Sequence, residues 1–128
     1  MPAYNVGWCI RRAVDSRLAQ DYRARELIVV NDGSTDDTRA VLEARTDLPL
    51  HLTHSVENLG GSGGFHLGVR QAYDAGHDRI WLMDDDVVPA PDCLEVLLGH
   101  DEACLMAFRE NLAGELVEEV DERVARQQ

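Results

Sequence analysis

Three short apolar runs constrain this chain more than any other feature: ELIVV at 26–30, LPLHLTH at 48–54 and RIWLM at 79–83. Each ends in a polar loop, and residues at helical spacing follow each loop. Short runs rich in Val, Ile and Leu predict strands buried on both faces, which belong to parallel sheets. Upstream, Val6, Ile10, Ala13, Val14 and Leu18 recur at helical spacing and predict an amphipathic helix over 7–20. Ser34 followed by Asp37 resembles a capping box with Asp for the usual Glu or Gln, and a helix is expected over 38–45. A glycine-rich loop, ENLGGSGG at 57–64, precedes an expected helix over 65–75, with Gly76 in the position that ends it. Pro91-Asp92 opens a further helix to about 98. ACLMAF at 103–108 reads as a fourth strand, LVEEV at 116–120 as its hairpin partner, and the polar last eight residues as a fraying end.

Strand alternating with helix predicts an α/β fold, a mostly parallel sheet flanked by helices. No repeat or linker divides it, so one domain over 1–128 is expected. In such sheets ligands bind outside the carboxyl ends of the strands. Three unusual loops are predicted there: 31–35, 57–64 and 84–86. Their convergence on one edge is the main functional signal.

Charge excludes several partners. The chain carries 24 acidic and 12 basic residues, a formal net charge of −12. That argues against nucleic acid, whose phosphates need clustered cations, and against docking on anionic membranes. All the basic residues are Arg. Cys9, Cys93 and Cys104 are odd in number and lack metal-type spacing, which fits reduced structural thiols. No apolar run approaches the length of a membrane span and no signal peptide is visible. A cytoplasmic location is expected, at most peripheral to the inner face of the membrane.

Asp84, Asp85 and Asp86 repel one another, so a strand that ends in all three needs a reason. In an extended segment Asp84 and Asp86 point one way and Asp85 the other, with the outer pair about 6–7 Å apart along the chain. Two such carboxylates can converge on a hard cation, Mg²⁺ or Mn²⁺. The plainer reading is a solvated acidic loop. Residues 60–64, GGSGG, read either as a flexible linker or as backbone that lets a phosphate or sugar approach closely. They are no Walker loop, because no Gly-Lys-Ser/Thr follows. Asp32 is either simple turn chemistry or an acceptor for a ligand's N–H or hydroxyls. His51 and His54 fall on opposite faces of a strand and make a poor metal pair. Arg11, Arg12 and Arg70 are open to pairing with carboxylates and carry no assigned chemistry.

The blocks MPAYN (1–5), LAQDY (18–22), ELIVVNDGSTDDT (26–38) and DDD (84–86), in this order and spacing, resemble the family 2 glycosyltransferases with the GT-A fold. The likeness runs to about residue 100. The stretch 57–91 resembles the galactofuranosyltransferase subgroup, with rhamnosyltransferases behind it. The resemblance implies a Rossmann-like nucleotide-sugar-binding fold. It implies that Ala3 and Tyr4 line the nucleoside pocket and that Asp32 meets the nucleobase. Gly60, Gly61 and Gly64 would border the donor ribose and sugar, and Asp85 would face them. Asp84 and Asp86 would hold Mn²⁺ or Mg²⁺ against the diphosphate of a UDP-sugar, with UDP-galactofuranose favoured. The acceptor would be a glycan, such as a cell-wall polysaccharide, or a lipid-linked one.

Two departures qualify that resemblance. Family members carry a strand before the PAYN block, and they continue well past this length, so a chain shortened at both ends is expected. The missing strand would leave a gap in the sheet, one that a partner copy pairing through a sheet edge could fill. No general base can be named; Glu110, Glu115 and Glu118 have no distinguishing spacing. One alternative is a donor-binding fragment without catalysis. Another is a haloacid-dehalogenase-like phosphatase with Asp84 as nucleophile and Asp86 as acid/base, a chemistry that usually recruits a Lys this chain lacks. A receiver-type domain lacks the same Lys.

Overall fold

The computed structural model describes residues 1–47, 49–103 and 105. In order they form β1 (Pro2–Ala3), α1 (Ile10–Leu18), β2 (Leu27–Asp32), α2 (Thr38–Glu43), β3 (Leu50–Ser55), α3 (Gly60–Asp74) and α4 (Cys93–Leu98). The chain divides into two compact units, Met1–Glu95 and Val96–Gln128. The first contains the whole sheet, which is parallel throughout in the order β1-β2-β3. Pro2 stands beside Val30 and Ala3 beside Asn31. Leu27 to Asp32 run beside Leu50 to Ser55. The α/β expectation holds, with each parallel step crossed by a helix as parallel strands require.

The two faces of the sheet are packed differently. On one, Ala3 and Val29 meet Ile10 and Val14 of α1 and Leu42 of α2, with Leu27, Leu50 and Leu52 around them. On the other lies α3, which buries only Gly64, Gly68 and Ala72. Small residues every fourth position let its backbone lie close on the strands: a Cβ at Gly64 would stand 2.7 Å from the Cβ of Pro2. Gly76 ends this helix as expected. Its φ is +79°, its N–H donates to Tyr73 O, and that of His77 donates to Ala72 O. That pair of bonds is the Schellman arrangement, which needs a left-handed residue at Gly76.

Several expectations are corrected. Residues 79–83 form no strand among the described residues, and Ile80 and Leu82 are exposed. The neighbour they would need is β1, two residues long and half proline, which offers almost no ladder groups on its outer edge. Within the PAYN block Pro2–Ala3 pairs with Val30 and Asn31 of β2, so the position beside β2 is taken by two residues of that block. The glycine run is not a loop ahead of a helix but the first turns of α3. The capping box does not form: α2 has no side-chain cap bond from Asp37, and Ser34 Oγ instead accepts the N–H of Asn5 at 3.1 Å. Helix α1 starts three residues later than expected, after a turn in which Val6 O accepts the N–H groups of Cys9 and Ile10. The expected strand at 103–108 falls largely outside the described residues, and the hairpin at 116–120, Glu110, Glu115, Glu118 and Cys104 fall wholly outside them.

Candidate functional site

The carboxyl ends of β1 and β2 are joined by side-chain bonds, those of Asn5 foremost. Asn5, just past β1, has φ +52°, a left-handed conformation that Asn tolerates better than most residues. Its Oδ1 accepts the N–H of Thr35 at 2.8 Å and of Asp36 at 3.3 Å. Asp36 in turn accepts from the hydroxyl and N–H of Thr38 and from the N–H of Gly7. Val6 N–H donates to Thr38 Oγ1 at 2.9 Å. The loops after the first two strands therefore form one bonded platform.

Asp32 is the last residue of β2. It is 3% exposed, and its Oδ1 accepts the N–H of Leu59 at 2.8 Å, fixing the start of α3. In the first turn of α3, Gly60 and Gly61 face open space, whereas Gly64 is buried against Pro2. The glycine run thus splits: two residues bare to solvent at the carboxyl edge, and one that serves helix–strand packing. Ala3 is buried with its methyl in the core, while the ring of Tyr4 is half exposed.

The acidic segment reaches this edge without being a strand. Residues 85–86 form a turn, so strict alternation of side chains does not set their directions. Tyr4 N–H donates to Asp85 Oδ2 at 3.3 Å, which ties the turn to the end of β1 across 81 residues of chain. Asp84 and Asp86 are exposed. Desolvation raises the pKa of Asp85 above the usual carboxylate value, with repulsion from Asp86 and Asp84 adding to it and the Tyr4 bond opposing it. No three His, Cys, Asp or Glu side chains among the described residues form a metal cluster. Two exposed hard-oxygen donors fit a cation that completes its shell with phosphate and water.

What anchors the segment was not anticipated. Arg17 of α1 is 7% exposed. Its guanidinium donates to Asp84 O at 2.5 Å, to Val87 O at 3.4 Å and to Ala13 O of its own helix. Burial lowers it to about 10 against the pull of Asp85, Asp84 and Asp86, so it stays charged at neutral pH. Gln20, also buried, donates to Ala90 O at 2.8 Å and accepts the N–H of Leu94 at 3.0 Å. Asp21 N–H donates to Pro91 O at 2.8 Å. The signal was available: Arg17 falls four residues after Ala13 and seven after Ile10, a cation on the apolar face of its helix.

Three further polar groups meet nearby. Asn31 Nδ2 donates to His54 Nδ1 at 3.0 Å, and His54 Nε2 lies 3.3 Å from Glu43 on α2. Asn31 Oδ1 is buried without a partner. At the opposite, amino ends of β2 and β3, a cavity of about 430 Å³ is lined by Arg25, Glu26, Leu50, His51 and His77, among others. Glu26 there meets His51 Nδ1 at 3.4 Å and His77 Nε2 at 2.8 Å. Cys9 and Cys93 are free and half-buried. No helix among the described residues is long and apolar enough to cross a membrane.

Comparison with known proteins agrees with the motifs. The family model described as "Glycosyl transferase family 2" matches residues 1–104. The chain is 42% identical over 80 residues to the galactofuranosyltransferase GlfT1 of Mycolicibacterium smegmatis, covering 61% of this chain and 26% of that protein. It is 38% identical over 87 residues to an uncharacterized glycosyltransferase of Rickettsia prowazekii, covering 68% and 26%. It is 35% identical over 94 residues to the uncharacterized glycosyltransferase YaiP of Escherichia coli, covering 72% and 23%. The chain spans about a quarter of the length of these relatives.

Proposed function

The chain belongs to glycosyl transferase family 2, and on that premise we propose that its carboxyl edge binds a UDP-sugar with a divalent cation for transfer to a glycan or lipid-linked acceptor. The observation that carries this reading is the bond from Tyr4 N–H to Asp85. It brings the acidic turn to the strand end whose loop Asn5 ties to the turn after β2.

Each residue has a part in the proposal. The half-exposed Tyr4 ring flanks the nucleoside, with Ala3 contributing backbone alone. Asp32 sets the start of α3, so that Gly60 and Gly61 present bare backbone to the ribose and sugar. Its remaining carboxylate oxygen is the group available to the nucleobase. Asp85 faces the ribose or sugar from the end of β1. Asp84 and Asp86 hold Mn²⁺ or Mg²⁺, which when bound neutralises charge on the departing nucleoside diphosphate. Galactofuranose is the favoured sugar, because a galactofuranosyltransferase is among the similar proteins.

Thermal unfolding with UDP, with Mn²⁺ and with both tests this. Ligand at about 100 times its dissociation constant stabilises by roughly 2.7 kcal/mol, a shift of several degrees. The expected shift needs both ligands together and disappears in Asp84→Asn and Asp86→Asn, whose ligand-free melting stays near wild type. No shift in cooperatively folded wild type, or an undiminished shift in both variants, refutes the cation site.

A further inference from the structure

The acidic turn has no strand ladder to hold it; besides the Tyr4 N–H on the Asp85 side chain, its backbone is held by one buried cation. Arg17 reaches the carbonyls of Asp84 and Val87, on either side of the exposed Asp86, while Ala13 O steadies the guanidinium from its own helix. We propose that Arg17 is the positioning residue of the donor site. It fixes the backbone around the turn and offsets the three carboxylates, so that Asp84 and Asp86 are set for a cation before any ligand arrives. This rests on the reading of the turn as the cation–diphosphate site.

Three observations support the assignment. First, charge: three adjacent carboxylates without a counter-ion repel, and a partly buried cation beside them is screened far less than a surface one. Second, shape: a planar guanidinium can serve several carbonyls at fixed angles, which the single ammonium of a Lys does less well. Third, Arg17 Nε is buried without a partner. A side chain placed only to satisfy its own donors would avoid that cost.

The effect should also be local. Gln20 and the Asp21 N–H hold residues 90–94 independently of Arg17. Loss of the guanidinium therefore loosens the turn and leaves the rest of the segment tied to α1.

The experiment uses the full chain with Arg17→Met and Arg17→Lys. Mn²⁺ binding is followed by electron paramagnetic resonance with UDP present, and uridine binding without metal by saturation-transfer NMR. Groups that hydrogen-bond the ligands of a metal from behind are typically worth about 10–100-fold in metal affinity. Arg17→Met should lose affinity for Mn²⁺ with UDP by that factor while uridine binds as in wild type. Arg17→Lys, keeping charge without the fork, should recover only part. Wild-type or tighter Mn²⁺ binding by Arg17→Met overturns the proposal. So does an equal loss of uridine binding, which marks a merely structural role. If Arg17→Met does not fold, Arg17→Lys decides: wild-type Mn²⁺ affinity overturns, and a selective loss upholds. Failure of wild type itself to bind Mn²⁺ with UDP removes the donor-site reading, and this assignment with it.

Discussion

The side-chain oxygen of Asn5 accepts the backbone N–H of Thr35 at 2.8 Å, so a residue of the first strand's loop also shapes the second's. Asn is suited twice over, as a short acceptor and as a residue that tolerates φ +52°. Asn5→Ala loses both and should cost about 1–2 kcal/mol. Asn5→Gly keeps the backbone freedom and should recover part of that in a urea titration. Equal destabilisation by the two would mean that conformation contributes nothing.

Asp32 has a structural duty that is separable from its charge. Asp32→Ala leaves the Leu59 N–H without its acceptor and should lower stability by about 1–3 kcal/mol. Asp32→Asn keeps an oxygen in place and should stay within about 1 kcal/mol of wild type. Matched denaturation curves decide it, and identical losses in both variants would show that charge, not the bond, is what counts.

Neighbouring glycines should respond with opposite signs. A Cβ at Gly61 meets nothing within 4 Å, and the position is helical. Gly61→Ala should stabilise by about 0.5–1 kcal/mol through helix propensity. Gly64→Ala drives a methyl into Pro2 and should destabilise by about 1–3 kcal/mol. Differential scanning calorimetry should show one melting temperature rising and the other falling. In the proposed site Gly61→Ala should also weaken UDP binding, because the added methyl stands at the open edge.

Acid should act through Asp36. The Thr38 hydroxyl bond, above all, holds the Asp36 carboxyl below its ordinary value. A depressed carboxyl contributes stability that is present above its unfolded value of 3.8 and is lost as pH falls through the folded value. Asp36→Asn should therefore melt below wild type at pH 7, and the difference should shrink as pH falls below 3.8. A gap that stays constant with pH would assign the loss to shape alone.

Much of the fold was legible because it depends on neighbours in sequence. The strands at Leu27–Asp32 and Leu50–Ser55, the face of α1 built on Ile10 and Val14, and the Gly76 cap all follow from periodicity or local backbone geometry. The RIWLM reading failed for the complementary reason. An apolar run states that it can be a strand, but a ladder needs a partner edge, and β1 offers little of one. The capping-box reading failed because Ser34 had a better use across space, on Asn5.

The sequence alone determined the α/β alternation, the parallel sheet and the gathering of Asp32 and the glycine run toward one set of loops, since these rest on spacing and on the rule for parallel strands, whereas the place of Tyr4 came from the family resemblance and that of the acidic turn from a strand that does not form. Tertiary structure alone decided that Asp32 is buried on Leu59, that the glycine run is divided between packing and open edge, and that Arg17 holds the acidic turn. Those outcomes depend on which side chains and backbone groups, 27 to 70 residues apart, meet in space. Periodicity places Arg17 on the buried face of α1, but which distant carbonyls it meets leaves no trace in the chain.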